Sequence, residues 1–136
     1  MRKVLVDTSI WSLALRRRPA QPAEAGELSR LIAEGLVEII GPIRQEILSG
    51  ISQPRQFELL RSQMEAFEDL PLTRIHFETA AEFNNRCRRH GIQGSHTDFL
   101  ICAVAAQEKI SVFTADRDFD HYSKHLPLHL HRGGAE

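Results

Sequence analysis

The chain has 136 residues, 42% of them hydrophobic and 26% charged, and a formal net charge of −1. This is one domain's worth of sequence, long enough to bury roughly two thirds of its surface without staples. No stretch approaches the roughly 18 consecutive apolar residues of a membrane-spanning helix, and so small a net charge does not announce a nucleic-acid binder.

The opening MRKVLVDTS has a basic start but an apolar run of only Val4-Leu5-Val6, too short for a secretory signal. Lys3 to Val6 reads as a buried parallel strand. Asp7-Thr8-Ser9 can cap a helix that starts near Ile10 and fades near Arg18, before Pro19. Arg18 to Gly26 contains two prolines and reads as a loop or frayed helix start. Glu24 to Glu34 places Leu28, Leu31 and Ile32 at helical spacing, with Gly35 as a stop. Leu36 to Ile40 is a second buried strand, and Gly41-Pro42 opens a helix that runs to about Gly50. Pro54 to Phe67 is helical, and Leu70 to Thr73 is a candidate short strand. Phe77, Ala80, Ala81 and Cys87 share a helical face that ends at Gly91. The loop Gly91 to Ser95 leads into Thr97 to Glu108, whose apolar stretch Phe99 to Ala106 predicts a deeply buried helix. Ile110 to Phe113 is a third strand, Asp116 to His125 a short helix, and Leu128 to Leu130 a candidate edge strand. Alternating strands and helices without hairpin signals predict a parallel sheet covered on both faces, with all strand C-termini on one edge. That edge is where open α/β sheets place ligands.

Four carboxylates can meet there. Asp7 ends the first strand, and Asp116 follows the third by three residues. Asp98 lies in the first turn of the most buried helix. Glu46 lies one turn into the helix after the second strand, between Ile43 and Ile47, where it borders the inward stripe. Each of the first three has a structural explanation as a cap; Ser95-x-x-Asp98 resembles a capping box. Glu46 is too deep in its helix to cap, so it needs a partner, Arg44 being one candidate. Taken together, carboxylates at one edge repel by an amount of the order of several kcal/mol in low dielectric. A hard divalent cation removes that cost, and Mg²⁺ needs only one or two carboxylates directly. The chemistry that follows is metal-assisted hydrolysis, most naturally of a phosphodiester.

These residues also carry a family resemblance. Val4-Leu5-Val6-Asp7-Thr8-Ser9-Ile10-Trp11 resembles the opening motif of the PIN-domain nucleases, specifically the VapC-type toxins of bacterial toxin–antitoxin pairs. Pro42 to Gly50 is similar to the second motif, with Glu46; His96 to Ala103 to the third, with Asp98; and Thr114-Ala115-Asp116-Arg117-Asp118-Phe119 to the fourth, with Asp116. The resemblance spans residues 1–136 as one domain. It implies a three-layer α/β/α fold around a mainly parallel sheet of four to five strands. It further implies a Mg²⁺- or Mn²⁺-dependent endoribonuclease acting on RNA, a homodimer, and a small antitoxin that pushes a C-terminal segment into the active-site groove.

Asp7 and Asp98 are then expected to ligate the metal directly. Asp116 joins them directly or, like Glu46, through water or a second ion. Water activated by the ion is the expected nucleophile, with one of the acids taking its proton. Thr8 and Thr114 can hydrogen-bond the carboxylates or the phosphate, and Asp118 is a spare acid that can bind metal or cap its helix. The alternative function is a PIN-like module that binds RNA or a partner without cutting, which the presence of all four acids counts against.

The basic residues are 14 Arg and only 3 Lys, and the clusters Arg16–Arg18 and Arg86, Arg88, Arg89 suit phosphate forks. Arg16, Arg17, Arg86 and Arg89 are therefore RNA-binding candidates, although cations near helix C-termini also complement the dipole. Cys87 and Cys102, far apart and outside any CxxC, read as small buried hydrophobes in a reducing cytoplasm. His121 and His125 have metal-binding spacing but lack the glutamate of HExxH, since Tyr122 stands there. His129 and His131 share one face of the last strand and are expected at the surface, and Trp11 is expected to pack in the core or at a subunit contact. An aspartyl-phosphate phosphotransferase is disfavoured, because Ser9 replaces the second acid of DxD and Lys109 precedes a late strand instead of following it.

Overall fold

The computed structural model describes residues 2–15 and 23–132. The elements are β1 (Val4–Val6), α1 (Thr8–Leu15), α2 (Ala23–Ala33), β2 (Val37–Glu38), α3 (Gly41–Ser49), α4 (Pro54–Met64), α5 (Arg74–Arg89), α6 (His96–Glu108), β3 (Ser111–Phe113) and α7 (Asp118–Ser123). The three strands form a parallel sheet in the order β2-β1-β3. β1 is buried at every position, as a central parallel strand with both faces covered must be. The α/β architecture and the parallel sheet agree with the sequence-based expectation.

The sheet has three strands among the described residues, and the expected fourth and fifth survive as single parallel bridges, Ile39 to Asp69 and Val112 to Leu130. On the first edge Leu70 donates to the Ile39 carbonyl at 2.8 Å. On the β2 side α3 begins at Gly41, so the predicted strand Leu70 to Thr73 has no partner strand with which to continue the ladder. On the other edge the Val112 N–H reaches the His129 carbonyl at 2.9 Å and the His131 N–H reaches the Val112 carbonyl at 2.7 Å.

Strand order 2-1-3 has a consequence for function. The chain leaves β1 toward β2 on one side and returns with β3 on the other. A crevice therefore opens beyond the C-terminal ends of β1 and β3, the switch point at which open α/β sheets bind ligands. Asp7 and Thr114 immediately follow these two strand ends.

α6 supplies the floor of this crevice. Its residues Phe99 to Ala105 are all buried, and it ends on Lys109, which adopts the left-handed φ of 58°. α5 packs against it on a face that only partly matches the predicted one: Ala80 and Cys87 face the core as expected, Phe77 and Ala81 do not. The buried stripe of α5 is His76, Phe83 and Cys87, while Phe77 is 53% exposed and Ala81 is exposed as well. Phe77 and Ala81 each lie one residue, about 100° of turn, past the inward positions His76 and Ala80. The polar His76 can hold an inward position because both ring nitrogens are satisfied. Nδ1 accepts the Thr73 N–H at 2.9 Å, and Nε2 faces the Glu108 carboxylate at 2.9 Å.

Cys87 and Cys102 are buried free thiols, as expected. Trp11 is 3% exposed, donates its indole N–H to the Val6 carbonyl at 3.2 Å and meets Phe67 edge-on, so it is a core residue. No described helix is long and apolar enough to cross a membrane. The end of the first predicted helix, and with it Arg16, Arg17 and Arg18, falls outside the described residues.

Candidate functional site

Asp7 begins the site. It is 7% exposed, and its Oδ2 accepts three hydrogen bonds: from Ser9 N (3.4 Å), Ser9 Oγ (2.8 Å) and Thr114 Oγ1 (2.9 Å). Its carbonyl starts α1 by accepting the Ile10 N–H at 3.0 Å, so it is also the cap that the sequence suggested. A carboxylate can be this buried because a short hydroxyl network, with donors from two strand ends, converges on it. The Ala115 N–H closes the network on Ser9 Oγ at 3.0 Å, and the Asp116 N–H on Thr114 Oγ1 at 3.0 Å. Thr114 thus hydrogen-bonds the Asp7 carboxylate from the end of β3. Ser9 was missed, although a hydroxyl two residues after a strand-end Asp is a legible signal for such a turn.

Asp98, Asp116 and Asp118 come together across the mouth of the crevice. One carboxylate oxygen from each lies within 4.8 Å of the others. Asp98 is half-buried in the first turn of α6, where its N–H bonds the Ser95 hydroxyl at 3.0 Å. Asp116 and Asp118 are exposed; Asp116 accepts the Asp118 N–H at 2.9 Å and so shapes the turn into α7. The predicted helix Asp116 to His125 is accordingly shorter, and Asp116 precedes it. Burial pushes the Asp98 carboxyl above its usual range, and the nearby charges of Asp7 and Asp116 add to the shift. The Tyr122 hydroxyl donates to Asp98 Oδ2 at 2.7 Å. Burial, then the neighbouring Asp98 charge, pushes this phenol well above its usual range, so it is a proton donor at every physiological pH. Nothing in the sequence signals this contact, since a lone tyrosine in a short helix reads as core.

Glu46 needs a correction. It is exposed, not on the inward stripe, which in α3 is Ile43 and Ile47. Its partner is the Thr8 hydroxyl, at 2.6 Å from Oε1, which ties it to the residue beside Asp7. Arg44 is occupied elsewhere. It pairs with Asp69 at 2.9 Å and donates to the carbonyls of Met64 and Phe67, anchoring the turn after α4. Glu46 and Thr8 line an open hollow with Pro42 and Thr97, the latter next to Asp98.

The arginine candidates fare differently. Arg86 reaches the His125 carbonyl at 3.5 Å and lies over the Phe83 ring, so it holds the end of α5 to the segment after α7. Arg89 is exposed, and no ion pair among the described residues involves it. His121 and His125 do not form a metal pair on one helix, because α7 ends at Ser123. His125 instead stacks on His90 with ring centroids 4.1 Å apart, and burial together with His90 holds its pKa below the usual range. His131 is not a surface group either. It sits 2.6 Å from Glu27 Oε2 and edge-on to Phe113.

The donor set suits a hard divalent cation. Three carboxylates lie together, burial and then the neighbouring acids push the Asp98 carboxyl upward, and no ion pair among the described residues neutralises Asp98, Asp116 or Asp118. An apolar recess of about 320 Å³ adjoins the acids between α3, α5 and α6, lined by Pro42, Phe77, Ala80, Ala81 and Leu100. It offers no carboxylate, so a hard cation finds its donors in the crevice and none in the recess.

A sequence profile of the PIN domain matches residues 4–125. Among solved structures, FitAcB from Neisseria gonorrhoeae is similar with a TM-score of 0.77 and 22% identity, covering 95% of this chain and 96% of that one. VapBC2 from Rickettsia felis, bound to a DNA fragment from its promoter, is similar with a TM-score of 0.74 and 18% identity over 94% of this chain and 96% of that one. VapBC-1 from nontypeable Haemophilus influenzae has a TM-score of 0.69 and 17% identity over 94% and 96%. At these identities the likeness is one of fold. No curated protein matches the chain significantly.

Proposed function

The chain belongs to the PIN-domain family, and on that premise we propose that it is a Mg²⁺- or Mn²⁺-dependent endoribonuclease, the toxin of a toxin–antitoxin pair. The observation that carries the reading is the carboxylate group at the switch point, with Asp98 pushed above its ordinary range by burial and by Asp7 and Asp116.

Asp98, Asp116 and Asp118 would hold the ion, with Asp7 beside them and Glu46 joined through Thr8. When bound, such an ion makes water acidic enough to attack near neutral pH and withdraws charge from a phosphodiester. The chain's own residues supply the rest. Ser9 and Thr114 fix Asp7 through Oδ2, which leaves Oδ1 to ligate or to take a proton. Thr8 orients Glu46 as a second proton acceptor on the same side of the crevice. Asp116 and Asp118 are both exposed, which would leave an ion held there open to a strand of RNA from solvent.

A small antitoxin is the proposed partner and a homodimer the proposed assembly, in a cytoplasmic setting. Supporting this, FitAB has been solved bound to a DNA fragment and one further fold neighbour is a toxin–antitoxin complex from Klebsiella pneumoniae. The exposed Ile75 and Phe77 on α5 offer apolar surface for such contacts.

Purified protein incubated with total RNA should cleave it with Mn²⁺ or Mg²⁺ and stop with a chelator. Asp7→Asn should lose cleavage by about 100-fold or more while remaining folded. Wild-type cleavage by Asp7→Asn would remove the catalytic assignment. Metal-independent RNA binding without cleavage would favour the silent module instead.

A further inference from the structure

We propose that Tyr122 is a positioning residue for Asp98, and that Gly94 is glycine so that the tyrosine can reach it. The inference rests on the reading of Asp98, Asp116 and Asp118 as the metal site.

Tyr122 lies fully buried on α7, four residues after Asp118 and so on the same face of that helix. Its hydroxyl crosses to α6 and donates to Asp98 Oδ2 at 2.7 Å. One hydrogen bond therefore ties together the two elements that carry the clustered acids. It fixes the orientation of the Asp98 carboxylate, whose oxygens keep lone pairs for a cation. The ring has little freedom. Phe99 and Phe119 flank it with centroids 5.0 and 5.1 Å away, which holds the phenol in one orientation. A core tyrosine needs some acceptor for its hydroxyl; here the acceptor is the half-buried carboxylate of Asp98, the arrangement by which donors behind a metal ligand orient it.

Gly94 makes room for this. A methyl group on its Cα would overlap the Tyr122 hydroxyl and would lie 2.8 Å from Cζ and 3.0 Å from Phe99 Cε2. The backbone at Gly94 is not in the left-handed region, so the constraint is one of space alone. Any side chain at position 94 forces a shift at the Tyr122 hydroxyl or in the backbone that carries position 94, and that shift is expected to disturb the bond to Asp98.

The test is Mn²⁺ titration by calorimetry on the full chain, beside thermal unfolding of the metal-free protein. Tyr122→Phe keeps the ring between Phe99 and Phe119 and removes only the donor. Its Mn²⁺ affinity should fall by about tenfold or more, with the metal-free Tm within about 3 °C of wild type. Gly94→Ala should weaken Mn²⁺ by a similar factor although it holds no ligand atom. The double variant should be no weaker than the weaker single one, because both act through one bond. A metal affinity for Tyr122→Phe within twofold of wild type overturns the inference, whatever its Tm, and decides the matter even if Gly94→Ala does not fold. Wild-type protein that binds no Mn²⁺ at millimolar concentration would instead overturn the metal reading, and this inference with it.

Discussion

The fold contains two carboxylate clusters of opposite electrostatic character. At the crevice, Asp98 meets Asp116 and Asp118, and its carboxyl is pushed up. Behind Thr114, on α2, Glu27 meets Arg30 through two bonds of 3.0 and 2.8 Å and His131 at 2.6 Å. The hydrogen bonds from Arg30, then those from His131, override the effect of burial and hold the Glu27 carboxyl down at about 2. Glu27 and His131 share a small pocket with Phe113 and Thr114, so the two clusters are separated by little more than the end of β3. Burial acts on both. The difference lies in the neighbours: a guanidinium and an imidazole complete Glu27, whereas acids surround Asp98. The first cluster is finished by the chain and holds α2 to the C-terminal segment. The second has no cationic partner among the described residues, and that incompleteness is the ground on which it is proposed as the metal site.

The largest expected effect tests the unfinished cluster. Asp98→Asn should reduce metal-dependent RNA cleavage by about 100-fold or more. The metal-free protein should hold or gain stability, by about 1 kcal/mol or less, because a half-buried repelling charge is gone while the amide oxygen can still accept from Tyr122. A clear fall in the metal-free Tm would mean that Asp98 is a structural acid like Glu27. The opposite result is expected at the finished cluster, where Glu27→Gln should cost about 1 kcal/mol in urea unfolding, since it breaks a largely buried acceptor of two partners.

The same comparison has a pH signature. The Glu27 carboxyl titrates near 4.5 in the unfolded chain and near 2 in the folded one. Its contribution is therefore complete above about pH 4.5 and is lost as pH falls toward 2. The stability gap between wild type and Glu27→Gln should be constant at neutral pH and shrink through that window. A gap that stayed constant to pH 3 would show that the pair contributes nothing through charge. The smallest effect lies outside both clusters. Lys109 closes α6 in the left-handed conformation with φ 58°, so Lys109→Gly should raise stability by about 1 kcal/mol or less and leave cleavage unchanged.

Much of this architecture was legible from residue spacing. Short Val- and Leu-rich runs and the apolar stretch Phe99 to Ala105 set the parallel sheet and its buried helix, because a segment covered on both sides can carry nothing but apolar residues. The strand ends at Asp7 and Phe113 were legible for the same reason, and they placed two of the acids on one edge. Two edge strands were overread, since a hydrophobic run does not reveal how long a partner it will find: each meets the sheet at one bridge, and beside Ile39 the start of α3 at Gly41 leaves nothing further to pair with. The face of α5 was partly misread, because His76 looks polar in sequence and is buried only by virtue of Thr73 and Glu108. Glu46 was placed inward by its neighbours Ile43 and Ile47, yet a helix turns by about 100° per residue and carries it out to Thr8.

What the sequence determined by itself was the order of the elements, the core and the identities of the acids, since these follow from local periodicity and from residue chemistry. What only the tertiary structure decided was partnership. Asp118 joins Asp98 and Asp116, Ser9 and Thr114 close on Asp7 from positions more than a hundred residues apart in the chain, and Tyr122 reaches Asp98 past Gly94. Which acid has a cationic partner and which has none depends on what stands within hydrogen-bond reach in three dimensions. Coulomb energy and desolvation are set by those distances, and no spacing along the chain encodes them.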